Sequence, residues 1–389
     1  EFVLQSPQLG TGHAVMQTAP LLSREEGKTL VVNGDCPCVQ SETYQAMMDA
    51  LEDCGMVVLT AVLQDPRQYG RVVRNPQGMI EKIVEYKDAT EEERKIQEIN
   101  TGIYCFDNQA LFRYLKELQN DNAQQEYYIT DLVEIFNRSG LGVRAKVIED
   151  SQEAAGINDK KELAQANHWM QKKINERWME AGVTLINPDS TYIGPDVVLG
   201  QDVTLYPNVY LEGKTVIGEG TTILPQSFLV NAVIGKHCRI DSSRITDSVI
   251  HDEVTVGPFA HLRMNCEVDS KNRIGNFVEF KNTRMGFDSR CAHLTYLGDS
   301  DIGSRVNIGC GVITVNYDGK NKFHTTVKDG AFIGSNVNLI APLTVGENAV
   351  VAAGSTATQD VPDGDMAIGR VRQENKPGYG LVYKNKEKK

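Results

Sequence analysis

Aromatic residues are scarce in this 389-residue chain, and long apolar segments are missing. Phe, Trp and Tyr make up 7% of the residues, and no apolar run approaches the ~18 residues of a membrane-spanning helix. Residues 1–4 lack the basic and apolar regions of a secretory signal peptide. The sequence therefore predicts a cytosolic (cytoplasmic) protein without a membrane span.

Positive charge is also in short supply. The chain has 40 Lys and Arg against 52 Asp and Glu, a formal net charge of −12. Nucleic acids and anionic membranes bind proteins through an excess of basic residues, so neither is an expected partner. The lysine-rich end of the chain, residues 384–389, is interpreted as a solvated tail.

The eight cysteines form no C-x-x-C pair. Cys36 and Cys38 are separated by a single residue, and no pair of histidines at the spacing of a zinc site accompanies them. We therefore expect reduced and mostly buried thiols, which fits a cytosolic address.

Up to residue 158, short apolar runs alternate with stretches of helical spacing. This alternation is typical of an α/β domain with a mainly parallel sheet. The predicted strands lie at 2–4, 30–32, 57–62 and 103–106, and the predicted helices lie at 13–22, 43–54 and 108–118.

Residues 159–182 predict a linker helix, because apolar residues recur there at spacings of three and four. Asp159 with Glu162 fits a capping box at the start of this helix, and Gly182 fits its C-terminal stop. The expected parts of the chain are therefore 1–158, 159–182 and 183–389.

From residue 183 onwards, aliphatic–glycine pairs recur at multiples of about six residues, as in Ile193-Gly194, Leu199-Gly200 and Ile217-Gly218. Such a hexad puts one aliphatic residue on each face of a triangular coil and glycine at its tight corner. The pattern predicts a left-handed parallel β-helix with ~18 residues per turn. A polar insertion at 316–323 interrupts it, and is either an idle loop or a functional one.

Two loops of the first half are candidates for chemistry. The loop Leu9-Gly10-Thr11-Gly12-His13 lies between a predicted strand and a predicted helix, so its N–H groups are candidates to hold an anion or a base edge. Asn33-Gly34-Asp35 puts a carboxylate at the carboxyl end of a strand, where α/β sheets bind ligands and where an oxygen ligand suits Mg²⁺. A simple turn is the alternative interpretation of that segment.

In order and spacing, these segments resemble the bacterial family of bifunctional N-acetylglucosamine-1-phosphate uridyltransferases / glucosamine-1-phosphate acetyltransferases. The resemblance extends along essentially the whole chain, because a Rossmann-like nucleotidyltransferase domain, a helix and a long β-helix of hexapeptide repeats are that family's architecture. The segments that carry it in the first half are residues 3–5, 9–14, 33–35, 69–71, 83–85, 98–102, 126–131 and 156–158.

For the first domain, the resemblance implies attack of N-acetylglucosamine 1-phosphate on the α-phosphorus of UTP, with release of pyrophosphate. Positioning and metal charge do most of the work in such transfers. The implied ligands of the product UDP-N-acetylglucosamine are Gln5, Gly10 and Thr11 for the uridine, and Gly70, Glu85, Asn100 and Asn158 for the remainder. The implied Mg²⁺ ligands are Asp35 and Asn158.

Two departures from the family pattern concern this domain. The family's glycine-rich triphosphate loop and its lysine are not among these residues, which begin at Glu1 rather than at Met. In addition, Asn33 stands where many members have Tyr. We therefore expect uridylyl transfer to be impaired in this chain.

In the second half, the densest motif is Ala292-His293-Leu294-Thr295-Tyr296-Leu297-Gly298-Asp299. A histidine on a β-helix wall suits a general base that takes a proton from an attacking amine. The resemblance implies acetyl transfer from acetyl-CoA to glucosamine 1-phosphate with His293 as that base, in a homotrimer whose acetyl-CoA sites are shared between β-helices. The implied sugar-phosphate ligands are Arg263, Lys281, Tyr296 and Asn307, and the implied acetyl-CoA ligands are Cys310, Asn316, Tyr317, Ser335, Ala353 and Arg370.

Two other functions stay open at this level. One is another sugar-nucleotide pyrophosphorylase with an appended β-helix, which would need neither His293 nor the insertion at 316–323. The other is a non-catalytic subunit of the same architecture, which would not need the basic and polar residues around His293.

Overall fold

The computed structural model describes residues 1–384. The chain falls into two compact units, residues 1–170 and residues from 171 onwards. Over the described residues, no helix combines the length and the apolar character that a membrane crossing requires. Beyond residue 384, the predicted basic tail lies outside the described part of the chain.

The first unit is built on a six-stranded sheet. Residues 2–4 belong to none of its strands, so the strand predicted there is wrong, whereas the other three predicted strands are confirmed. The strands are β1 Lys28–Val31, β2 Met56–Val62, β3 Arg71–Arg74, β4 Ile80–Val84, β5 Glu98–Asp107 and β6 Val143–Ile148. The order is β4-β3-β5-β2-β6, and β1 pairs with β5.

Most pairings in this sheet are antiparallel. Only β2 with β6 is parallel, whereas β5 runs antiparallel to β1, β2 and β3, and β3 runs antiparallel to β4. The prediction of a mainly parallel sheet is therefore wrong for the described strands. No α-helix separates β3, β4 and β5, and short connections return the chain in the opposite direction.

The helix predicted at 13–22 is instead two short helices. Pro20 lies in the first turn of the second, where its missing N–H costs nothing, whereas it cannot continue the first. The helices predicted at 43–54 and 108–118 end early and continue as 3₁₀ turns. The α-helices are α1 Thr11–Met16, α2 Ala19–Leu22, α3 Ser41–Ala50, α4 Asn108–Tyr114, α5 Leu132–Arg138, α6 Lys160–Glu180 and α7 Tyr379–Lys384.

The sheet of the first unit is buried on both faces. Along β2, Met56 and Val58 pack into one apolar cluster with Phe106 and Phe136. Val57 lies between them in sequence and packs into a second cluster on the opposite face. Because successive side chains of a strand point to opposite faces, a strand buried on both sides is largely apolar, as β2 is apart from Thr60, whose hydroxyl donates to Glu98.

The second unit is a parallel β-solenoid with three faces. Two long strands, Arg273–Met285 and Arg290–Ile302, run through all three faces. The short strands of face A are Thr184–Leu185, Thr204–Leu205, Thr222–Ile223, Arg239–Ile240, Thr255–Val256, Asn307–Ile308, Phe332–Ile333, Val350–Val351 and Met366–Ala367. Those of face B are Tyr192–Ile193, Tyr210–Glu212, Phe228–Val230, Arg244–Thr246, His261–Arg263, Ile313–Val315, Asn338–Ile340 and Thr356–Ala357. Those of face C are Val198–Leu199, Val216–Ile217, Val233–Ile234, Val249–Ile250, Glu267–Val268, Thr325–Val327 and Leu343–Val345.

The register of the coils follows the hexad repeat and shows the insertion. Arg290 pairs with Asn307, 17 positions further on. Asn307 pairs with Phe332, 25 positions further on, because residues 316–323 leave the coil between them. The aliphatic residues of the hexads point inward and form one continuous core cluster.

The glycine of the hexad serves close approach between coils. Gly218 and Gly334 do not have a positive φ, and left-handed backbone occurs instead at residues such as Asp202 and Asn208. A Cβ on Gly218 would lie 2.5 Å from the backbone carbon of Gly235 in the next coil. Any side chain at this position would therefore push two coils apart.

We expect Gly218→Ala to destabilise the solenoid by about 1–3 kcal/mol, the cost of overpacking a close backbone contact. The measurement is the urea midpoint followed by circular dichroism. Gly380→Ala is the matched control, because no atom lies within 4 Å of a Cβ at that exposed position. An unchanged midpoint for Gly218→Ala would contradict this account of the hexad.

Candidate functional site

A cavity of about 630 Å³ in the first unit brings together four of the predicted nucleotide-sugar ligands. Thr11, Gly70, Glu85 and Asn100 all line it. They come from the start of α1, from the residue before β3, from the residue after β4 and from β5. Thr11 and Asn100 therefore line the same cavity although they are 89 positions apart in the sequence.

Asn100 is held by three hydrogen bonds on the wall of this cavity. Its N–H donates to the Gly70 oxygen (2.9 Å), its Nδ2 donates to the Tyr104 hydroxyl (2.8 Å), and its Oδ1 accepts from the Gly102 N–H (3.1 Å). Burial raises the pKa of Tyr104, so the phenol stays protonated at neutral pH. Asn100 therefore presents a fixed amide to the cavity.

Glu85 belongs to a group of carboxylates beside the same cavity. Burial raises its pKa, and the charges of Asp88 and Asp131 add to the effect. Burial likewise raises the pKa of Asp131 to about 6, with further contributions from Glu134 and Asp88. A Cβ on Gly70 would lie 3.4 Å from both Glu85 carboxylate oxygens, so the glycine leaves this acid open towards the cavity.

Gln5 and Gly10 do not line the cavity. Gln5 Nε2 donates to the Gly10 oxygen (2.9 Å), and Gly10 has a φ of 103° directly before α1. A Cβ there would lie 2.7 Å from the Tyr127 oxygen. The Gly12 N–H already donates to Tyr127 (2.8 Å), so this part of the loop is occupied by contacts within the fold.

A second cavity of about 460 Å³ holds both predicted metal ligands, Asp35 and Asn158. Asp35 Oδ2 lies 3.3 Å and Asn158 Nδ2 4.0 Å from the position of a Cβ on Gly156, so the glycine leaves room between them. The described residues contain no cluster of three or more His, Cys, Asp or Glu side chains able to hold a metal. One carboxylate and one amide oxygen suit Mg²⁺, which keeps several of its own waters, better than Zn²⁺.

The neighbouring thiol does not compete as a ligand. Cys36 Sγ lies 3.6 Å from Asp35 Oδ1, and burial raises the pKa of this thiol to about 11, with Asp35 adding to the shift. A protonated thiol binds metals poorly. The two cavities share Asn33, Gln68, Tyr69 and Thr101 on their walls.

Sequence reasoning missed Tyr104 and Thr130 as cavity residues. Asn100 and Tyr104 are four positions apart on one strand, and this even spacing could have placed both on one face. Thr130 is buried, and its Oγ1 has no hydrogen-bond partner among the described residues. No pattern in the sequence indicates that.

On the solenoid, the predicted phosphate ligands Arg263 and Lys281 are direct neighbours in register at the end of face B. Arg263 Nη2 and Nε donate to Glu279 Oε1 at 2.6 and 3.1 Å. Lys281 Nζ lies 3.7 Å from Asp299 Oδ2. Each cation is therefore oriented by a carboxylate of the next coil.

At this edge, between faces B and C, Asp299 contacts several polar and basic side chains. Asn282 Nδ2 and Asn316 Nδ2 donate to its two oxygens at 2.8 and 2.6 Å. Burial raises the pKa of Asp299, but these hydrogen bonds and the charges of Lys281 and Lys322 outweigh it and hold the pKa below its usual value. The contact with Lys322 and burial lower the pKa of Lys281.

His293 lies at the other edge of face B, next to face A. Its Nδ1 lies 3.0 Å from Asn276 Oδ1. Below it, the predicted acetyl-CoA ligands Cys310, Ser335 and Ala353 follow one another on successive coils. The Asn336 N–H donates to the Cys310 oxygen (2.7 Å), and the Gly354 N–H donates to the Ser335 oxygen (2.8 Å).

Most of the predicted acetyl-transfer residues thus lie on one of two edges within one chain. Arg370 Cδ lies 3.6 Å from the position of a Cβ on Gly354 and extends the His293 edge. Tyr296 lies on face B between the edges, and Asn307 lies on face A. Tyr317 is exposed in the insertion, where it forms a small antiparallel bridge with Lys322.

Comparison with known proteins gives the class and the family. A family model described as nucleotidyl transferase matches residues 1–179. The bifunctional protein GlmU of Exiguobacterium sibiricum is 52% identical over 381 residues, 97% of this chain and 85% of the relative. That of Geobacillus thermodenitrificans is 51% identical over 390 residues, 100% of this chain and 85% of the relative. A solved UDP-N-acetylglucosamine acyltransferase of Arabidopsis is 18% identical with a TM-score of 0.41, over 50% of this chain and 76% of its own.

The first unit is therefore a nucleotidyltransferase domain, and the chain is a transferase. It belongs to the family of bifunctional GlmU proteins. This membership favours the bifunctional enzyme over the two alternatives that the sequence left open.

We expect Asp131→Asn to raise the melting temperature at pH 7 but not at pH 4. The folded pKa of about 6 lies above the ordinary value of 3.8, so the folded state binds the proton more tightly and stability falls as the pH rises from about 4 to 6. The substitution removes that fall, and Asp131 makes no capping bond that would be lost.

The measurement is the melting temperature between pH 4 and 7.5, with Asp121→Asn, at an exposed position, as the control. Equal pH dependence of wild type and Asp131→Asn would contradict the raised pKa.

Proposed function

We propose that this chain makes UDP-N-acetylglucosamine in two steps, acetyl transfer on the solenoid and uridylyl transfer on the first unit. The observation that carries the proposal is the grouping of the predicted ligands. Four of them line one cavity, the two predicted metal ligands line the adjoining cavity, and His293 lies on the opposite edge of face B from Arg263 and Lys281. Cytosolic localisation and small-molecule rather than nucleic-acid partners belong to the same proposal.

In acetyl transfer, the amine of glucosamine 1-phosphate attacks the thioester carbonyl of acetyl-CoA. His293 takes the proton that the amine loses, the new C–N bond forms, and the C–S bond breaks to release CoA. An amine attacks only in its neutral form, so a base at this point is required. The exposed imidazole at the edge of face B supports this role.

The phosphate of glucosamine 1-phosphate binds to Arg263 and Lys281. A guanidinium fork and an ammonium group in adjacent register positions suit a phosphate dianion. Glu279 and Asp299 hold these two cations in place before the substrate arrives. Tyr296 and Asn307 position the sugar.

The acetyl-transfer site is completed by a second copy of the chain. The cations and the histidine lie on opposite edges of face B, so an edge from each of two neighbouring solenoids gives a full set. We infer a homotrimer with three such shared sites. Acetyl-CoA lies along the edge of Cys310, Ser335, Ala353 and Arg370, with Asn316 and Tyr317 near its acetyl group.

In uridylyl transfer, Asn100 and Glu85 orient the sugar, and Thr11 holds the uridine, with Gly10 and Gln5 supporting the loop that precedes it. Asp35 and Asn158 hold Mg²⁺, which, when bound, offsets the charge of the phosphates. The role of the chain is positioning, because the sugar phosphate must lie in line with the bond to pyrophosphate.

Two product assays on one sample test the proposed function. CoA release from acetyl-CoA with glucosamine 1-phosphate is expected, and pyrophosphate release from UTP with N-acetylglucosamine 1-phosphate is measured on the same sample. Absence of pyrophosphate release would refute uridylyl transfer by this chain. The absence of CoA release from trimeric protein would refute the acetyltransferase.

His293→Ala is expected to lower kcat of acetyl transfer by about 10²–10⁴-fold, the contribution of a general base. The control is His251→Ala, because His251 lies on the same solenoid but contacts Glu267 at 3.4 Å. CoA release is measured by thiol titration for both variants. If His293→Ala keeps wild-type turnover, another group is the base.

A further inference from the structure

We propose that Asn276 is a positioning residue for acetyl transfer, whose side-chain oxygen holds His293 in the tautomer that leaves Nε2 free to accept a proton. The inference rests on the proposed role of His293 as general base. It adds a second residue, on the preceding coil, to the machinery of that site.

The contact between these residues determines which nitrogen carries the proton. Asn276 and His293 are paired in register on the two long strands, and Asn276 Oδ1 lies 3.0 Å from His293 Nδ1. An amide oxygen only accepts hydrogen bonds, so Nδ1 must donate. The neutral ring then has its lone pair on Nε2, which has no hydrogen-bond partner among the described residues.

The backbone holds this pair at a fixed separation. Gly275 precedes Asn276, and Ala292 precedes His293. A Cβ on Gly275 would collide with the Ala292 oxygen, so the two coils lie as close here as backbones can. Thr295 Oγ1 also donates to the His293 oxygen (2.8 Å). The backbone therefore holds the imidazole of His293 and the amide of Asn276 within hydrogen-bond distance.

A neutral partner distinguishes His293 from two other exposed histidines of the solenoid. His251 lies 3.4 Å from Glu267, and His324 lies 3.0 Å from Asp301, both carboxylates. No carboxylate of the described residues lies within ion-pair distance of His293. A carboxylate favours the charged imidazolium, whereas an amide orients the ring without holding the proton on it.

The ionisable side chains around the pair are few. Within five positions of the pair, these are Arg273, Glu279 and Lys281 on the first long strand and Arg290, Cys291 and Tyr296 on the second. Cys310 lies on the coil that follows. The charge of Glu279 is already paired with Arg263. A carboxylate introduced at position 276 would therefore be an unpaired negative charge beside the imidazole.

Asn276→Ala is expected to lower kcat of acetyl transfer at least ~10-fold, which is part of the ~10²–10⁴-fold that a general base contributes. The KM values for glucosamine 1-phosphate and acetyl-CoA are expected to stay unchanged. Asn276→Asp keeps the acceptor, so turnover persists, but the acidic limb of the kcat/KM profile moves to higher pH because the new carboxylate raises the pKa of His293. The matched control is Asn338→Ala, which removes a similar bond between coils, Asn338 Nδ2 to Thr356 Oγ1 (3.3 Å).

The tautomer is measured directly by ¹⁵N NMR of the full-length protein labelled at histidine, with the His293 signals assigned by their loss in His293→Ala. Protonated Nδ1 is expected in the wild type and a mixture of tautomers in Asn276→Ala. Protonated Nε2 in the wild type, or unchanged kcat in Asn276→Ala beside an inactive His293→Ala, overturns the inference. An active His293→Ala overturns the proposed base, and this inference with it.

Discussion

Hydrogen bonding from each coil to the next, at a fixed register, is the constraint on which the solenoid depends. Neighbouring strands lie ~4.8 Å apart, so residues in register become neighbours however the sequence separates them. This register puts Arg263 beside Lys281 and Asn276 beside His293. The close approach of Gly218 to Gly235 shows how little freedom the stacking leaves. Functional side chains on a face of the solenoid are therefore attached to a rigid backbone.

In the first unit, β5 has the corresponding role. It pairs with β1, β2 and β3, and it carries both Asn100 and Tyr104 on the cavity wall. The backbone bond from Asn100 to Gly70 fixes the start of β3 against it. Because β5 is a central strand packed on both faces, it forms a rigid wall of the cavity.

The residues explain which predictions succeeded. The hexad pattern identified the solenoid because each aliphatic residue must face inward once per face, and the same inward set forms the core. The prediction of a mainly parallel sheet was wrong because apolar runs carry no information on strand direction, and because the antiparallel strands β3 and β4 were not among the predicted strands. The helix predicted at 13–22 is divided before Pro20, because a proline can begin a helix but cannot continue one.

By itself, the sequence determined the architecture and the family and predicted the candidate ligands, because hexads and motifs are local and periodic. Only the tertiary structure decided which of these ligands meet. It gathered Thr11, Gly70, Glu85 and Asn100 around one cavity, left Gln5 outside it, and divided most of the acetyl-transfer residues between two edges. It also revealed Asn276 as the partner of His293. Such contacts depend on the register between coils and the order of strands, and neither is encoded in any single segment.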